Sequence, residues 1–223
     1  MPIPVAHIEV IDMEDLIKRI SAVRVLPVIK LDDVKDAVPL ASALKKGGLL
    51  GAEITFRTAA AEESIKLISN KFPDFLVAAG TVLTKEQADC AINAGASFIV
   101  SPGLNPDVTK YCINKGYPII PGVCTPSEVE AAMSMGLRYL KFFPAEAAGG
   151  VNMIKAMSAP YTMVKFMPTG GINASNLVKY LSCKAVFACG GSWMVPSDKI
   201  ATGQFDEIEK LTAETLKLLK TLE

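Results

Sequence analysis

The sequence predicts an α/β fold of the (β/α)₈ barrel type, and three observations carry that prediction. Short apolar runs alternate with longer amphipathic segments eight times along the 223 residues. The apolar runs are rich in Val, Ile and Phe and do not alternate with polar residues, which is typical of strands buried on both faces of a parallel sheet. Eight such units fit the small end of the size range of a barrel. We therefore expect a single barrel domain over residues 1–223, with residues 1–9 as an N-terminal extension.

The predicted strands lie in eight runs, in chain order "VRVLPVIK", "LLGAEITF", "FLVAAGT", "SFIVSPG", "YPIIPGV", "LRYLKFFP", "MVKFMPTG" and "KAVFACGG". Helix-like segments separate them, with Ser, Thr, Asp or Asn near several starts and Gly near several ends. A leader helix around Met13 to Ile20 is expected to cap the barrel bottom, and residues 205–222 form the final helix. A doubly wound open sheet is the alternative, but the first strand ends in "PVIKLDD" without a GxGxxG turn.

Charge and cysteine content indicate which kinds of binding partner the protein has. Lys plus Arg and Asp plus Glu number 23 each, so no global field favours nucleic acid or an anionic membrane surface. The five cysteines are odd in number and form no CxxC pair, which predicts reduced thiols in a cytoplasmic protein. No segment has the pattern of a signal peptide or the length of a membrane span. The expected partners are small molecules and copies of the same chain.

The chain contains one histidine, His7, in a proline-containing leader. With no second histidine, the sequence excludes His-based triads, His-x-x-His zinc sites and His general bases. We read His7 as a surface residue. Proton transfer is therefore expected to fall to carboxylates, lysine, tyrosine or water.

Active sites of barrels lie at the carboxyl ends of the strands. The second predicted strand ends with Glu53, Thr55 and Arg57, which period-2 geometry points to one side. A local ion pair between Glu53 and Arg57 at the strand rim is one interpretation. The other is functional, because charged groups facing a packed interior are unfavourable unless they are used. Glu53 is then the candidate general base.

The sixth predicted strand carries Lys141 inside the apolar stretch "LKFFPAE". One interpretation is a barrel lysine that extends to the surface and pairs with a carboxylate. The other is an amine that Phe142, Phe143 and the neighbouring strands keep partly neutral, and that is therefore nucleophilic towards a carbonyl. A ketone substrate would explain the lysine.

Two Gly-Gly turns follow the last two predicted strands, in "PTGGIN" and "ACGGSWM". Barrels often build a phosphate site from the loops after strands seven and eight, where glycine lets backbone N–H groups approach an anion. Because Ser192 adjoins the second turn, we predict a phosphate ligand here. The turns "AAGT" and "SPG", which hold Thr81, Ser101 and Pro102, gain a functional meaning only as neighbours of that site.

Seven stretches, "EITFRT", "AAGTVL", "SPGL", "IPGV", "LKFFPAE", "PTGGI" and "GGSWMVP", resemble the 2-keto-3-deoxy-6-phosphogluconate (KDPG) aldolase family, also called KHG/KDPG aldolases. The resemblance covers about residues 10–222, in the same order and spacing. It implies a metal-free and cofactor-free class I aldolase that cleaves KDPG to pyruvate and D-glyceraldehyde 3-phosphate, and in many members 4-hydroxy-2-oxoglutarate to pyruvate and glyoxylate. It also implies a homotrimer.

Carried over by position, the resemblance assigns roles to nine residues. Lys141 matches the Schiff-base lysine and Glu53 the catalytic acid and base. The remaining matches are Arg57 and Thr81 for the pyruvyl carboxylate, Pro102 and Phe143 for the walls, and Gly170, Gly171 and Ser192 for the phosphate. Ala52 departs from the bulkier residue expected before the glutamate. An aldolase for the galactonate epimer and a barrel that only binds a phosphorylated metabolite remain as alternatives.

Overall fold

The computed structural model describes residues 12–222, so His7 and the predicted extension over residues 1–9 lie outside the described residues. All eight predicted runs contain strand residues. The strands are β1 Val25–Ile29, β2 Gly51–Thr55, β3 Leu76–Gly80, β4 Phe98–Val100, β5 Ile119–Ile120, β6 Gly122–Val123, β7 Tyr139–Phe142, β8 Lys165–Pro168 and β9 Cys189–Gly191.

These strands pair in parallel throughout, as the sequence predicts, but in two sheets and not in one. The larger sheet has the order β5-β4-β3-β2-β1-β9, and the smaller has the order β6-β7-β8. The run predicted as the fifth strand is split at Pro121, which has no N–H to donate to a ladder. Its carbonyl accepts from the Lys141 N–H at 2.9 Å. The fold class is therefore α/β with parallel sheets.

The last predicted run, residues 184–191, forms a regular strand only at its end, in β9. Two isolated parallel bridges, Phe166 to Val186 and Thr169 to Gly190, join this run to β8. At its other side β9 pairs with β1, with Leu26 opposite Gly190. The carboxyl ends of β8, β9, β1 and β2 are thereby neighbours, although they belong to two sheets.

Helices follow the strands in nearly all the predicted places: α1 Met13–Val23, α2 Ala37–Lys46, α3 Ala61–Lys71, α4 Lys85–Asn93, α5 Pro106–Lys115, α6 Pro126–Ser134, α7 Gly150–Ser158, α8 Leu177–Leu181, α9 Ser197–Ala201 and α10 Phe205–Leu219. The side chains of Thr84, Asn105 and Thr125 cap α4, α5 and α6, as Thr and Asn before a helix predict. The short α9 after Pro196 was not expected.

The leader helix lies where the sequence places it. Leu16, Ile17 and Ile20 of α1 pack in one cluster with Leu26, Leu76 and Phe98, which lie early in their strands, and with other strand residues. A larger cluster fills the space between the strands and the outer helices. Because α1 covers the amino ends of the strands, the polar residues at their carboxyl ends face the opposite side of the molecule.

Two further expectations concern the whole chain. All five cysteines fall in the described part and are free thiols, as the sequence predicts. Burial raises the pKa of Cys112 to about 11 and raises the pKa of Cys189, which is also buried. No helix over residues 12–222 is both long and apolar enough to cross a membrane.

Candidate active site

Lys141 and Glu53 meet inside the molecule, on strands of different sheets. The Lys141 Nζ donates to Glu53 Oε1 at 3.2 Å and lies 3.5 Å from Oε2. Glu53 occupies the middle of β2, opposite Val28 and Ala78. Lys141 lies in β7, opposite Gly122 and Met167. The structure therefore brings the two predicted catalytic residues together, although 88 positions separate them.

Both side chains are almost fully removed from solvent. Lys141 is 5% exposed and Glu53 is 0% exposed, so this lysine does not extend to the surface as one interpretation required. At 3.2 Å the attraction is about 5 kcal/mol for an effective dielectric constant near 20. Desolvation opposes it by several kcal/mol per ion. The pair is thus a weak contributor to stability.

The space around Glu53 is shaped by a glycine. A side chain at Gly80, the neighbouring residue on β3, would place its Cβ 2.2 Å from Glu53 Oε1. Even alanine would therefore displace the carboxylate. Gly80 fixes the position of the carboxylate by allowing it to lie directly against the backbone of β3.

Arg57 does not form the local ion pair with Glu53 that the sequence allowed. β2 ends at Thr55, so Arg57 lies in the turn beyond the strand, exposed, and its Nε donates to Thr55 Oγ1 at 2.9 Å. Thr55 is buried and donates in turn to the Ile29 carbonyl at 2.8 Å. The guanidinium is thereby oriented by Thr55, while Glu53 is left to Lys141.

Thr81, directly after β3, adopts a left-handed backbone conformation with φ of +57°. This region is unfavourable for a β-branched residue, and such strain concentrates at functional sites. Thr81 follows Gly80, the residue against which Glu53 lies. Thr81 is therefore the next residue along the chain from the backbone that Glu53 contacts.

An aromatic ring lies near the lysine, and a proline lies beside the strand partner of the lysine. The Lys141 Nζ lies 5.6 Å from the centroid of the Phe143 ring, a distance at which an ammonium is attracted to the ring face. Phe143 is 36% exposed, so this residue lies between the buried lysine and solvent. The Pro102 carbonyl is directly against Gly122, the strand partner of Lys141.

The two Gly-Gly pairs differ in structure. Gly190 and Gly191 are the last residues of β9, so the turn predicted there is wrong, whereas Gly170 and Gly171 lie beyond the end of β8. Gly170 and Gly171 both have positive φ, at +100° and +80°. The Cβ of a side chain at Gly170 would lie 3.4 Å from the Phe143 ring, so the first turn adjoins the wall of the site. Ser192, after β9, is exposed.

A cavity of about 390 Å³ contains Ser192, Arg57 and Lys30 in its lining, together with Asp198 and apolar residues. It spans the loops after β9, β1 and β2. Two cations and two serine hydroxyls, those of Ser192 and Ser197, line the cavity against one carboxylate, so the cavity suits an anionic ligand. The structure thus brings Arg57 and Ser192, predicted for the two ends of a substrate, to one cavity.

Two residues of this rim were absent from the predicted set. Lys30 directly follows β1 and lines the cavity; a lysine ending an apolar strand was the available signal. Thr169 follows β8, is 6% exposed, and its Oγ1 has no hydrogen-bond partner. Its signal was its place before Gly170 in "PTGGI".

Within residues 12–222, no three or more His, Cys, Asp or Glu side chains are grouped so as to hold a metal ion. The interior holds an amine with a carboxylate 3.2 Å away, while Lys30, Arg57 and Ser192 line a separate cavity. An amine next to a proton acceptor suits covalent chemistry on a carbonyl.

Comparison with known proteins places the chain in a family. The family "Aldolase: KDPG and KHG aldolase" matches residues 16–211. A 2-dehydro-3-deoxy-phosphogluconate aldolase of Treponema pallidum is 49% identical over 93% of this chain and 99% of its own.

Two solved structures are similar in fold as well as in sequence. A KDPG aldolase of Legionella pneumophila, with pyruvate captured as a covalent carbinolamine intermediate, is 42% identical with a TM-score of 0.84, over 87% of this chain and 97% of its own. A 2-keto-3-deoxy-6-phosphogluconate aldolase of Zymomonas mobilis with 3-phosphoglycerate is 39% identical with a TM-score of 0.82, over 89% and 94%. The chain therefore belongs to the KDPG and KHG aldolase family.

Proposed function

We propose that this protein is a class I aldolase that cleaves 2-keto-3-deoxy-6-phosphogluconate to pyruvate and D-glyceraldehyde 3-phosphate, and also 4-hydroxy-2-oxoglutarate to pyruvate and glyoxylate. The observation that carries the proposal is the buried Lys141 amine, 3.2 Å from the Glu53 carboxylate. The relatives named for this activity match nearly the whole chain. The reaction proposed needs neither a metal nor a cofactor.

Lys141 is the nucleophile. As a free amine it attacks the C2 ketone, and loss of water from the carbinolamine leaves a protonated imine. When the C3–C4 bond breaks, its electron pair moves into this imine and produces an enamine of pyruvate. Protonation at C3 and hydrolysis of the imine then release pyruvate and restore the amine.

Glu53 moves the protons. It is the carboxylate within reach of the Lys141 Nζ, so it takes the proton that the lysine must lose before it attacks. Through a water it returns this proton to the carbinolamine hydroxyl, which leaves as water, so that Glu53 is again a carboxylate. It then removes the C4 hydroxyl proton, so that the aldehyde can leave.

The substrate carboxylate binds to Arg57 and Thr81. The Arg57 Nε is held by Thr55, which orients the fork of the guanidinium, and a carboxylate accepts two parallel bonds from such a fork. Fixing one end of the substrate turns the C2 carbonyl towards Lys141. Pro102 and Phe143 provide the walls.

The substrate phosphate binds to Gly170, Gly171 and Ser192. Positive φ at both glycines supports a turn that presents backbone N–H groups to an anion. The phosphate is remote from the reacting bond, so it anchors the substrate. Ser192→Ala is expected to lower kcat/KM for KDPG by about tenfold, and to change kcat/KM for 4-hydroxy-2-oxoglutarate less than twofold. Equal losses on both substrates, measured by release of pyruvate, would contradict this assignment.

The closed (β/α)₈ barrel is part of the proposal. In it β5 and β6 form one strand interrupted at Pro121, and the bridges from β8 to residues 186 and 190 close the ring. The chain is then one domain over residues 1–223. We further propose that it acts in the cytoplasm as a homotrimer; the reduced thiols support the first of these.

Two alternatives lead to different experimental results. The epimer of the substrate at C4, a 2-keto-3-deoxy-6-phosphogalactonate, would fit the same lysine and glutamate. A barrel that only binds a phosphorylated metabolite would use Lys141 as an ion-pair partner and would form no covalent adduct.

The test is a cleavage assay in which lactate dehydrogenase reports pyruvate. The purified chain is given KDPG, the galactonate epimer and 4-hydroxy-2-oxoglutarate in turn, with and without EDTA. The proposal predicts that KDPG has the largest kcat/KM and that EDTA leaves the rate unchanged. A larger kcat/KM for the epimer would favour the first alternative, and no cleavage of any of the three would contradict an aldolase.

A further inference from the structure

A buried tyrosine and a glutamate connect the lysine-bearing segment to the first Gly-Gly turn. Tyr180 of α8 is 1% exposed, and its hydroxyl donates to Glu146 Oε1. Burial, and then the bond to Glu146, raise the pKa of this tyrosine above its ordinary value. The hydroxyl therefore stays protonated and remains a donor over the whole physiological range.

Glu146 lies in the loop that follows β7, the strand of Lys141. Its backbone N–H donates to the Gly170 carbonyl at 3.0 Å. A Cβ at Gly171 would lie 2.6 Å from Glu146 Cβ, and one at Gly150 would lie 3.1 Å from Glu146 Oε1. Glycine at these two positions thus leaves a slot into which the Glu146 side chain fits.

The turn is held from its other side by the residues that lead into α8. The Asn176 Nδ2 donates to the Gly171 carbonyl at 3.0 Å, and Asn176 directly precedes the helix that carries Tyr180. Glu146 and α8 therefore hold the Gly170 and Gly171 turn between them, and the Tyr180 hydrogen bond joins the two.

We infer that the Glu146 and Tyr180 pair is a positioning device, which fixes the Gly170 and Gly171 turn relative to Lys141 and thereby sets the preference for phosphorylated 2-keto acids. This inference rests on the proposed function, in which that turn binds the substrate phosphate. Neither residue touches the reacting atoms. They act by fixing where the Gly170 and Gly171 turn lies, and therefore where the substrate phosphate is held when the C2 carbonyl reaches Lys141.

Tyr180→Phe removes the hydroxyl and keeps the buried ring. Its KM for KDPG is expected to rise about fivefold to tenfold, the factor that corresponds to the loss of one hydrogen bond. The rate of inactivation by pyruvate with borohydride, which requires Lys141 but no phosphate, is expected to stay within twofold of wild type. Glu146→Ala should match Tyr180→Phe, and Glu146→Gln, which keeps an acceptor oxygen, should restore the KM.

The chain provides a matched control in a second tyrosine and glutamate pair. Tyr161, between α7 and β8, donates to Glu130 Oε1 of α6 at 2.8 Å, and neither residue belongs to the loop of Glu146 or to α8. Tyr161→Phe removes the same hydroxyl and is expected to leave the KM for KDPG within twofold of wild type.

The inference is overturned if Tyr180→Phe leaves the KM for KDPG unchanged, or if it slows pyruvate trapping as much as it raises the KM. In the second case the pair supports Lys141 itself. Failure of the proposed function would look different, because the wild-type protein itself would then show neither KDPG cleavage nor pyruvate trapping.

Discussion

Two lysine and carboxylate pairs in this molecule differ in burial far more than in distance. The surface pair of Lys45 and Asp74 is the shorter, at 2.6 Å, with side chains that are 39% and 53% exposed. The Lys141 and Glu53 pair is 3.2 Å long, with side chains that are 6% and 1% exposed. Water screens the charges of the surface pair, whereas it hardly screens the charges of the buried pair. Burial, and not distance, decides which pair has chemical consequences.

The largest expected effect in this comparison is on activity. Lys141→Met removes the amine while it keeps a side chain of similar length. We expect kcat/KM for KDPG to fall at least about 10⁴-fold, because the covalent route disappears. The coupled pyruvate assay measures this loss. Residual activity within a hundredfold of wild type would show that the lysine is not the nucleophile.

The same variant should also lose stability, because Glu53 would keep its buried charge without a partner. The free energy of unfolding is expected to fall by about 3 to 5 kcal/mol. Adding Glu53→Leu removes the unpaired carboxylate, and the double variant should regain most of that stability while it remains inactive. Urea unfolding of the single and double variants measures the difference. A double variant less stable than Lys141→Met would contradict the account of a desolvated pair.

At the surface pair we expect a far smaller change. Lys45→Met should shift the thermal midpoint by less than about 2 °C and leave kcat/KM for KDPG unchanged. Differential scanning calorimetry and the pyruvate assay test this in one preparation. If the thermal midpoint of Lys45→Met dropped as far as that of Lys141→Met, burial would not determine how much each pair matters to stability.

The smallest effect is a pH dependence of the surface pair. The hydrogen bond from Lys45 holds the pKa of Asp74 below its usual range. A lowered carboxyl pKa in the folded state adds stability above the unfolded pKa of about 3.9, and this stability is lost as the pH falls through the folded value. The midpoint difference between wild type and Lys45→Met should therefore be present at pH 7 and decline below about pH 4. A difference that grows in acid would contradict this assignment.

Much of the fold could be predicted because strand burial and helix caps are local signals. Each of the eight apolar runs contains strand residues, and Thr84, Asn105 and Thr125 cap helices as expected. The interruption at Pro121 and the partial regularity of residues 184–191 depend on how neighbouring strands meet. No local pattern records that.

The site was predictable where a residue type was out of place, as Lys141 is in an apolar strand. The partner of Lys141 was harder to predict. In the sequence Glu53 lies close to Arg57 and 88 positions from Lys141, and only the fold brings the Lys141 Nζ within 3.2 Å of the Glu53 carboxylate. The left-handed Thr81 backbone and the Tyr180 bond to Glu146 likewise arise from tertiary contacts.

The central claim is that Lys141 forms a Schiff base, and trapping tests it most directly. The protein is incubated with pyruvate and borohydride, digested, and each peptide is weighed by mass spectrometry. We predict one reduced pyruvyl adduct, on Lys141, and none on Lys45 or in the Lys141→Met variant. An unmodified Lys141 in protein that still cleaves KDPG would contradict the Schiff-base mechanism.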